Sequence, residues 1–153
     1  MSNTNGSTVV PYRYLGEKAQ LLINAAFSAR KHAYCPFSKF AVGAAVSWCD
    51  SEGIDYGSNV ESSSYGNSIC AERTAATKGI TEGKRRLEAV AVVAEMPDRE
   101  EFVSPCGICR QFLFEFGDKV DIFLAKPSSL HEKVLVTSID SLLPLGFRLN
   151  KLN

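Results

Sequence analysis

Three cysteines and one glutamate are the residues of this sequence whose types and spacing most readily do chemistry. Residues 70–72 read Cys-Ala-Glu, and residues 105–109 read Pro-Cys-Gly-Ile-Cys. Cys106 and Cys109 are three positions apart, which places both sulfurs on one face of a helix, and Pro105 suits the entry to a first helical turn. The pattern therefore predicts two helix starts at which three thiols and one carboxylate converge.

Zinc is the ion that these ligands predict. If Cys70, Cys106 and Cys109 bind it, the fourth tetrahedral position stays open for a water molecule, which the metal makes acidic enough to supply hydroxide near neutral pH. Three thiolates outweigh the charge of a divalent cation, so the site also needs positive potential nearby. The two helix N-termini supply part of it, and Arg73 or Arg110 could donate hydrogen bonds to the sulfurs.

Glu72 is the predicted catalytic residue. Because it follows Cys70 by two positions, its carboxylate can lie over the open position of the metal without binding the ion. It can take a proton from the activated water and deliver it to a reacting group. Such a proton shuttle contributes roughly 10²–10⁴-fold to a rate.

The same cysteines allow other interpretations. A Cys-x-x-Cys pair can be a redox element, although that function does not require Cys70, and a structural zinc site would normally need a fourth Cys or His. The two histidines, His32 and His131, lack motif spacing and are predicted to lie at the surface. Cys35 and Cys49 also lack such spacing and are predicted to be small buried packing residues.

The order of helices and strands predicts the scaffold. Apolar residues recur at three- and four-residue steps from Leu15 to Ala33, which predicts an amphipathic helix. Strand and helix patterns then alternate, and an α/β fold follows: a three-layer α/β/α domain with a mixed five-stranded sheet, in which an antiparallel hairpin precedes parallel strands. The predicted strands are 40–48, a second ending at Tyr56, 87–94, 120–125 and 133–136, and the later helices are 70–82, 106–116 and one from 137 or 138 to Pro144.

Composition limits the class of protein. The 153 residues are 45% hydrophobic, which is enough for one continuous core. Residues 1–13 are predicted to be a disordered tail, and residues 14–153 a single catalytic domain.

Lys and Arg together number 17, as do Asp and Glu, so the chain has no net charge that would favour nucleic acid or an anionic membrane. With no membrane-spanning stretch or signal peptide, a cytoplasmic location is predicted.

The motif Cys-Ala-Glu followed by Pro-Cys-x-x-Cys resembles the signature of the zinc-dependent cytidine deaminases. Cysteine at the first ligand position and the short chain resemble the small, all-cysteine homotetrameric members, which act on free nucleosides, from about residue 15 to 147. The resemblance implies one Zn²⁺ per subunit and hydrolysis of cytidine and 2′-deoxycytidine to uridine and 2′-deoxyuridine plus ammonia, in pyrimidine salvage. Zinc-bound hydroxide would attack C4 while Glu72 moves the protons.

Further segments extend the resemblance to the substrate. Residues 34–45 are similar to the family's loop and first strand, in which the residue matching Phe40 packs against the pyrimidine. The Asn-x-Glu at Asn59 and Glu61 is similar to the pair that binds the ribose 3′-hydroxyl, and a carboxylate there would repel a phosphate. The backbone of Ala71 matches a contact to the base.

Two aromatic residues are implied to act between subunits. The segment that carries Phe147 resembles the family's C-terminal element, whose aromatic side chain reaches a neighbouring subunit's site, and Tyr65 matches a residue at such an interface. Residues 62–64 read Ser-Ser-Ser where relatives tend to have Asn and small apolar residues. This difference implies that the detailed contacts at the subunit interface differ from those of relatives.

Other functional classes make different demands. A deaminase acting on nucleic acid would need a basic groove and additional aromatic surface, which the balanced charge disfavours. A nucleotide deaminase would need a cluster of Arg or Lys for the phosphate. A non-catalytic zinc-binding interaction module would not need Glu72.

Overall fold

A computed structural model describes residues 6–149. The described chain forms one mixed sheet with helices packed on it. Its strands are Thr8–Pro11 (β1), Gly43–Trp48 (β2), Ile54–Ser58 (β3), Leu87–Val93 (β4), Asp121–Ala125 (β5) and Lys133–Ser138 (β6). Its α-helices are Glu17–Arg30 (α1), Ala71–Thr81 (α2), Gly107–Phe114 (α3) and Ile139–Leu142 (α4). The strand order is β1-β6-β5-β4-β2-β3.

Helices cover both faces of the sheet, which confirms the predicted three-layer α/β/α class. Because side chains alternate along a strand, β4 contributes to a separate hydrophobic cluster on each face, and this explains its nearly continuous apolar sequence. One cluster joins α1 to the sheet and includes Leu22, Ile23, Ala91 and Phe123. The other joins α2 and α3 to the sheet and includes Ala75, Leu113, Val90 and Val92.

Helix α1 approaches β2 closely at Gly43. A Cβ atom at that position would lie 2.0 Å from the carbonyl oxygen of Ala26 and 2.6 Å from the backbone nitrogen of Arg30. Only glycine permits this contact, so the start of β2 is held directly against the helix.

The sheet has six strands rather than the predicted five, because β1 lies within the predicted tail. Thr8 to Pro11 pair antiparallel with β6, with Val9 opposite Leu135. The disorder prediction is therefore wrong for this stretch, while residues 1–5 lie outside the described residues. The sequence signal was weak because this edge strand is short, mostly exposed and ends in proline, so backbone pairing rather than burial holds it.

Parallel pairing is more limited than predicted. Only β4 and β5 are parallel in the described sheet, and α3 lies in the connection between them. Strand β6 pairs antiparallel with β5. The link between those strands, residues 126–132, is too short for the crossover of a dozen or more residues that a parallel pair needs.

The two histidines and the two cysteines outside the motifs lie at or near the surface. His32 and His131 are both exposed, as predicted. Cys35 is partly buried, but Cys49 is exposed, so the buried packing role predicted for Cys49 is wrong. It directly follows the last residue of β2, where the chain leaves the sheet for the hairpin turn.

None of the helices described between residues 6 and 149 combines the length and apolar character that a membrane crossing requires.

Candidate active site

The two cysteine motifs lie at the starts of α2 and α3, as predicted. Cys70 is the N-cap residue of α2 and Cys106 that of α3, each with an extended backbone conformation before the first helical turn. Cys109 lies one turn into α3 and is fully buried. The helix starts therefore bring together three sulfurs that are far apart in the sequence, and their positive dipole ends face the same place.

The sulfur geometry fits one tetrahedral zinc ion. All three Sγ atoms lie within 4.8 Å of one another, and those of Cys70 and Cys106 are 3.8 Å apart. A Zn–S bond of about 2.3 Å and a tetrahedral angle imply a separation of about 3.8 Å between two ligand sulfurs. Among the described residues, this cluster contains three ligands, which leaves one tetrahedral position open.

Electrostatics also favour a cation among the thiols. The pKa of Cys70 is lowered, mainly by a hydrogen bond from the Cys109 thiol and also by Arg73. The pKa of Cys109 is raised, mainly because its thiol donates to Cys70 and also because of burial and the nearby charge of Glu72. Without a cation one sulfur ionises at the expense of another, so three thiolates need a positive ion between them.

Arg73, rather than Arg110, reaches the sulfurs. Arg73 Nη2 lies 3.9 Å from Cys70 Sγ and 3.5 Å from the carbonyl oxygen of Ser68. Arg110 instead donates to the carbonyl oxygens of Pro105, at 2.7 Å, and of Leu142, at 2.9 Å. Its guanidinium therefore binds the loop before α3 and the end of α4. The predicted alternative, in which Arg110 donates to the sulfurs, is not observed.

Glu72 is buried beside the sulfur cluster. It is the second residue of α2 and only 4% of its surface is exposed. Burial raises the pKa of its carboxyl group to about 7, and the charge of Cys70 adds to the shift. A carboxyl group with such a pKa can both accept and release a proton near neutral pH, as a proton shuttle must.

A cavity of about 300 Å³ opens onto Glu72, Cys70 and Cys106. This volume lies at the lower end of the range of about 300–1,000 Å³ that is typical of small-molecule sites. The predicted substrate-binding residues that line it are Phe40, Asn59, Glu61 and Ala71. Sequence reasoning missed several other lining residues, among them Val42, Ser68, Val92, Val103 and Ser104. Only their proximity to a predicted motif or strand could have indicated them.

Asn59 and Glu61 already have partners within the chain. The Asn59 side chain accepts from the N–H of Val42 at 2.8 Å and donates to the carbonyl oxygen of Phe40 at 2.8 Å. The Glu61 carboxylate accepts from the N–H groups of Phe37, at 2.9 Å, and Ser38, at 3.2 Å, and from the Ser38 hydroxyl. Both side chains therefore hold the loop that forms this wall of the cavity.

Tyr65 and Phe147 do not line the cavity of their own chain. Their exposed fractions are 76% and 67%. The Tyr65 ring makes an edge contact with Phe37 at 5.8 Å between centroids, and Gln111 Nε2 donates to the carbonyl oxygen of Phe147 at 3.0 Å. Within one chain, neither side chain contributes to the site.

Residues 16–125 match the profile of a family described as the cytidine and deoxycytidylate deaminase zinc-binding region. The chain belongs to this deaminase family. The match spans both cysteine motifs and Glu72, so the residues that form the site lie within the region that defines the family.

Individual relatives agree with this assignment. A probable cytidine deaminase from Dictyostelium discoideum is 44% identical over 111 residues, which are 72% of this chain and 73% of that protein. A cytidine deaminase from Halalkalibacterium halodurans is 40% identical over 135 residues, 88% of this chain and 97% of that protein. The crystal structure of cytidine deaminase from Burkholderia pseudomallei has a TM-score of 0.75 and 40% identity, and the match covers 87% of this chain and 100% of that one.

These findings confirm the resemblance predicted from the motifs. The chain is an enzyme of the cytidine deaminase type, a hydrolase, and its cofactor is zinc.

Proposed function

We propose that the chain hydrolyses both cytidine and 2′-deoxycytidine, to uridine and 2′-deoxyuridine with release of ammonia, as a step of pyrimidine salvage in the cytoplasm. The observation that carries this proposal is the burial of Glu72 beside three clustered thiols, at a small cavity that Glu72, Cys70 and Cys106 line. A redox pair would not need that carboxyl group, and a structural zinc site would not need the cavity.

Cys70, Cys106 and Cys109 would hold the zinc, and Arg73 would offset part of the sulfur charge. When bound, zinc makes a water molecule acidic and so supplies the oxygen nucleophile for C4 of the pyrimidine. Glu72 would take one proton of that water and give it to ring nitrogen N3, then take the second proton from the oxygen now on C4 and give it to the leaving amine. C4 gains the oxygen as a carbonyl and loses the amino group as ammonia, so the two protons of the water end on N3 and on the ammonia.

Four further residues that line the cavity would recognise the nucleoside. Phe40 would pack against the pyrimidine, and the backbone at Ala71 would contact the base. Asn59 and Glu61 would bind the ribose 3′-hydroxyl, since an amide and a carboxylate can satisfy a hydroxyl group as donor and acceptor. All four residues line the cavity.

A free nucleoside fits this cavity better than a nucleotide does. No Lys or Arg occurs among the described residues that line it, whereas Glu61 places a carboxylate there. A phosphate would be repelled by that charge and would find no cation. The chain as a whole has zero formal net charge, which also disfavours a nucleic-acid substrate.

A homotetramer with shared active sites is part of the proposal. Large apolar side chains that would otherwise face water support it, namely Tyr65, Leu145, Phe147 and Leu149. We expect light scattering to give a mass about four times that of the 16.7 kDa chain. Co-expressing Glu72→Gln and Phe147→Ala chains should restore activity that neither variant has alone, if Phe147 acts in a neighbouring subunit's site. A mass of one chain together with no restored activity would contradict a tetramer with shared sites.

Substrate class is tested by offering four compounds to the purified zinc protein: cytidine, 2′-deoxycytidine, deoxycytidylate and a single-stranded cytosine-containing oligonucleotide. Chromatography should show the two nucleosides converted to uridine and 2′-deoxyuridine with an equal amount of ammonia, and the two phosphorylated compounds unchanged. Preferential turnover of deoxycytidylate or of the oligonucleotide would contradict the proposal.

A further inference from the structure

The part of the cavity lining formed by the loop at residues 37–42 with Asn59 and Glu61 is called the recognition wall. Ser38 connects two residues of this wall, Glu61 and Phe40. Its hydroxyl donates to Glu61 Oε1 and accepts from the N–H of Phe40 at 3.1 Å. Its own backbone N–H donates to Glu61 Oε2 at 3.2 Å. Ser38 is therefore bonded to both Glu61 and Phe40, although it is itself exposed and is not among the residues that line the cavity.

The loop around Ser38 contains a strained backbone conformation that these hydrogen bonds stabilise. Lys39 has a φ of 57°, in the left-handed region that residues with a Cβ atom rarely adopt. A conformation of this kind persists only where the surrounding contacts fix it. The hydrogen bond from Phe40 N–H to the Ser38 hydroxyl spans Lys39 and supplies one of these contacts, and Lys39 N–H donates to the carbonyl oxygen of Cys35 at 3.0 Å.

The hydrogen bonds of Glu61 leave a specific acceptor free. Each carboxylate oxygen offers about two lone-pair sites. Oε2 uses both, for the N–H groups of Phe37 and Ser38, whereas Oε1 uses one, for the Ser38 hydroxyl. The hydrogen bond from Ser38 is also the main cause that lowers the pKa of Glu61, so the carboxylate stays ionised as an acceptor. A substrate hydroxyl would therefore bind at Oε1, next to Ser38.

We propose that Ser38 is a positioning residue for substrate binding, whose hydroxyl fixes the Glu61 carboxylate so that Oε1 can accept the ribose 3′-hydroxyl. This inference rests on the ribose contact proposed above for Glu61. Removing the Ser38 hydroxyl frees Oε1 to rotate and loosens the loop that carries Phe40. The loss concerns binding of the sugar rather than the proton transfers at the base.

The test compares cytidine with 3′-deoxycytidine, which lacks the hydroxyl in question. For Ser38→Ala we expect kcat/KM for cytidine to fall about 5- to 10-fold, mostly through KM, as the loss of about one hydrogen bond predicts. The value for 3′-deoxycytidine should change much less. Ser38→Thr keeps a hydroxyl and should restore most of the cytidine value. Ser51→Ala, at the exposed β2–β3 turn, is the matched control and should behave as the parent protein.

Several outcomes would overturn the role of Ser38. These are unchanged cytidine kinetics in Ser38→Ala, equal losses for both substrates, or loss of bound zinc or of cooperative thermal unfolding, since Ser38 would then maintain the fold. The variant Glu61→Gln separates the positioning role of Ser38 from the ribose contact proposed for Glu61. If Glu61→Gln lowers kcat/KM for cytidine much more than for 3′-deoxycytidine and Ser38→Ala does not, only the positioning role fails. If Glu61→Gln lowers kcat/KM equally for both substrates, or for neither, the proposed ribose contact itself fails.

Discussion

The two walls of the cavity are built in different ways. The metal wall consists of Cys70, Cys106 and Glu72, together with Cys109 of the same sulfur cluster. All four lie at helix starts, where backbone conformation fixes them, and Glu72 and Cys109 are also buried. The recognition wall consists of the loop at residues 37–42 with Asn59 and Glu61, and individual hydrogen bonds hold it near the surface. Substitutions in the first wall should therefore abolish turnover, and substitutions in the second should weaken binding in graded steps.

Cys109→Ala should have the largest effect. Removing one of three ligands should reduce bound zinc to background and abolish turnover, because the remaining two thiols no longer complete the site. Elemental analysis and a cytidine assay measure both quantities. Cys49→Ala, which removes an exposed thiol, is the matched control and should keep zinc and activity. Full zinc occupancy in Cys109→Ala would show that the metal wall is assembled differently.

Glu72→Gln should separate chemistry from metal binding. We expect kcat to fall by roughly 10²–10⁴-fold, because an amide cannot shuttle protons, while zinc stays bound at the parent level. Glu52→Gln, at the exposed hairpin turn, should change neither quantity. Loss of zinc together with activity would instead make Glu72 a ligand or a structural residue of the metal wall.

Asn59→Ala should weaken binding and stability together. The backbone groups of Phe40 and Val42 would lose their partners, which should reduce the free energy of unfolding by about 1–3 kcal/mol. The KM for cytidine should rise roughly tenfold with a smaller change in kcat, if the amide also binds the ribose. Denaturant unfolding and steady-state kinetics measure these effects.

The control for that variant is Asn24→Ala, on α1, whose side chain bonds Tyr12 and His131 near the surface. It should leave the kinetics unchanged. A kcat loss in Asn59→Ala as large as that of Glu72→Gln would break the distinction between the two walls.

Arg73→Gln should have the smallest effect. Its guanidinium lies 3.9 Å from Cys70 Sγ, so losing the charge should lower kcat about 3- to 10-fold by leaving the sulfurs less compensated. Arg13→Gln, an exposed control, should have no effect. Normal zinc content and normal turnover in Arg73→Gln would remove Arg73 from the site.

Sequence predicted the metal wall in detail because short-range rules decide it. A cysteine before a helix, a second cysteine three residues after another and a proline at the entry determine where three sulfurs lie once the sheet forms. The partner of each arginine was not predictable in the same way. Arg73 and Arg110 are both adjacent to a motif, and only tertiary structure turns Arg110 toward Pro105 and Leu142.

Fewer residues of the recognition wall could be predicted from the sequence. Phe40, Asn59 and Glu61 were found through resemblance, but Ser38 was not, since its importance depends on a contact with Glu61 far along the chain. Strand β1 was missed for a related reason. Its few residues bury little apolar surface, and their pairing with β6 is a long-range contact that no local pattern encodes.

Zinc K-edge X-ray absorption on the native, unstripped protein tests the central claim most directly. The account predicts a first shell of three sulfurs at about 2.3 Å and one oxygen at about 2.0 Å, the latter from solvent at the open position. A shell of four sulfurs, or one without sulfur, would contradict a catalytic zinc held by Cys70, Cys106 and Cys109.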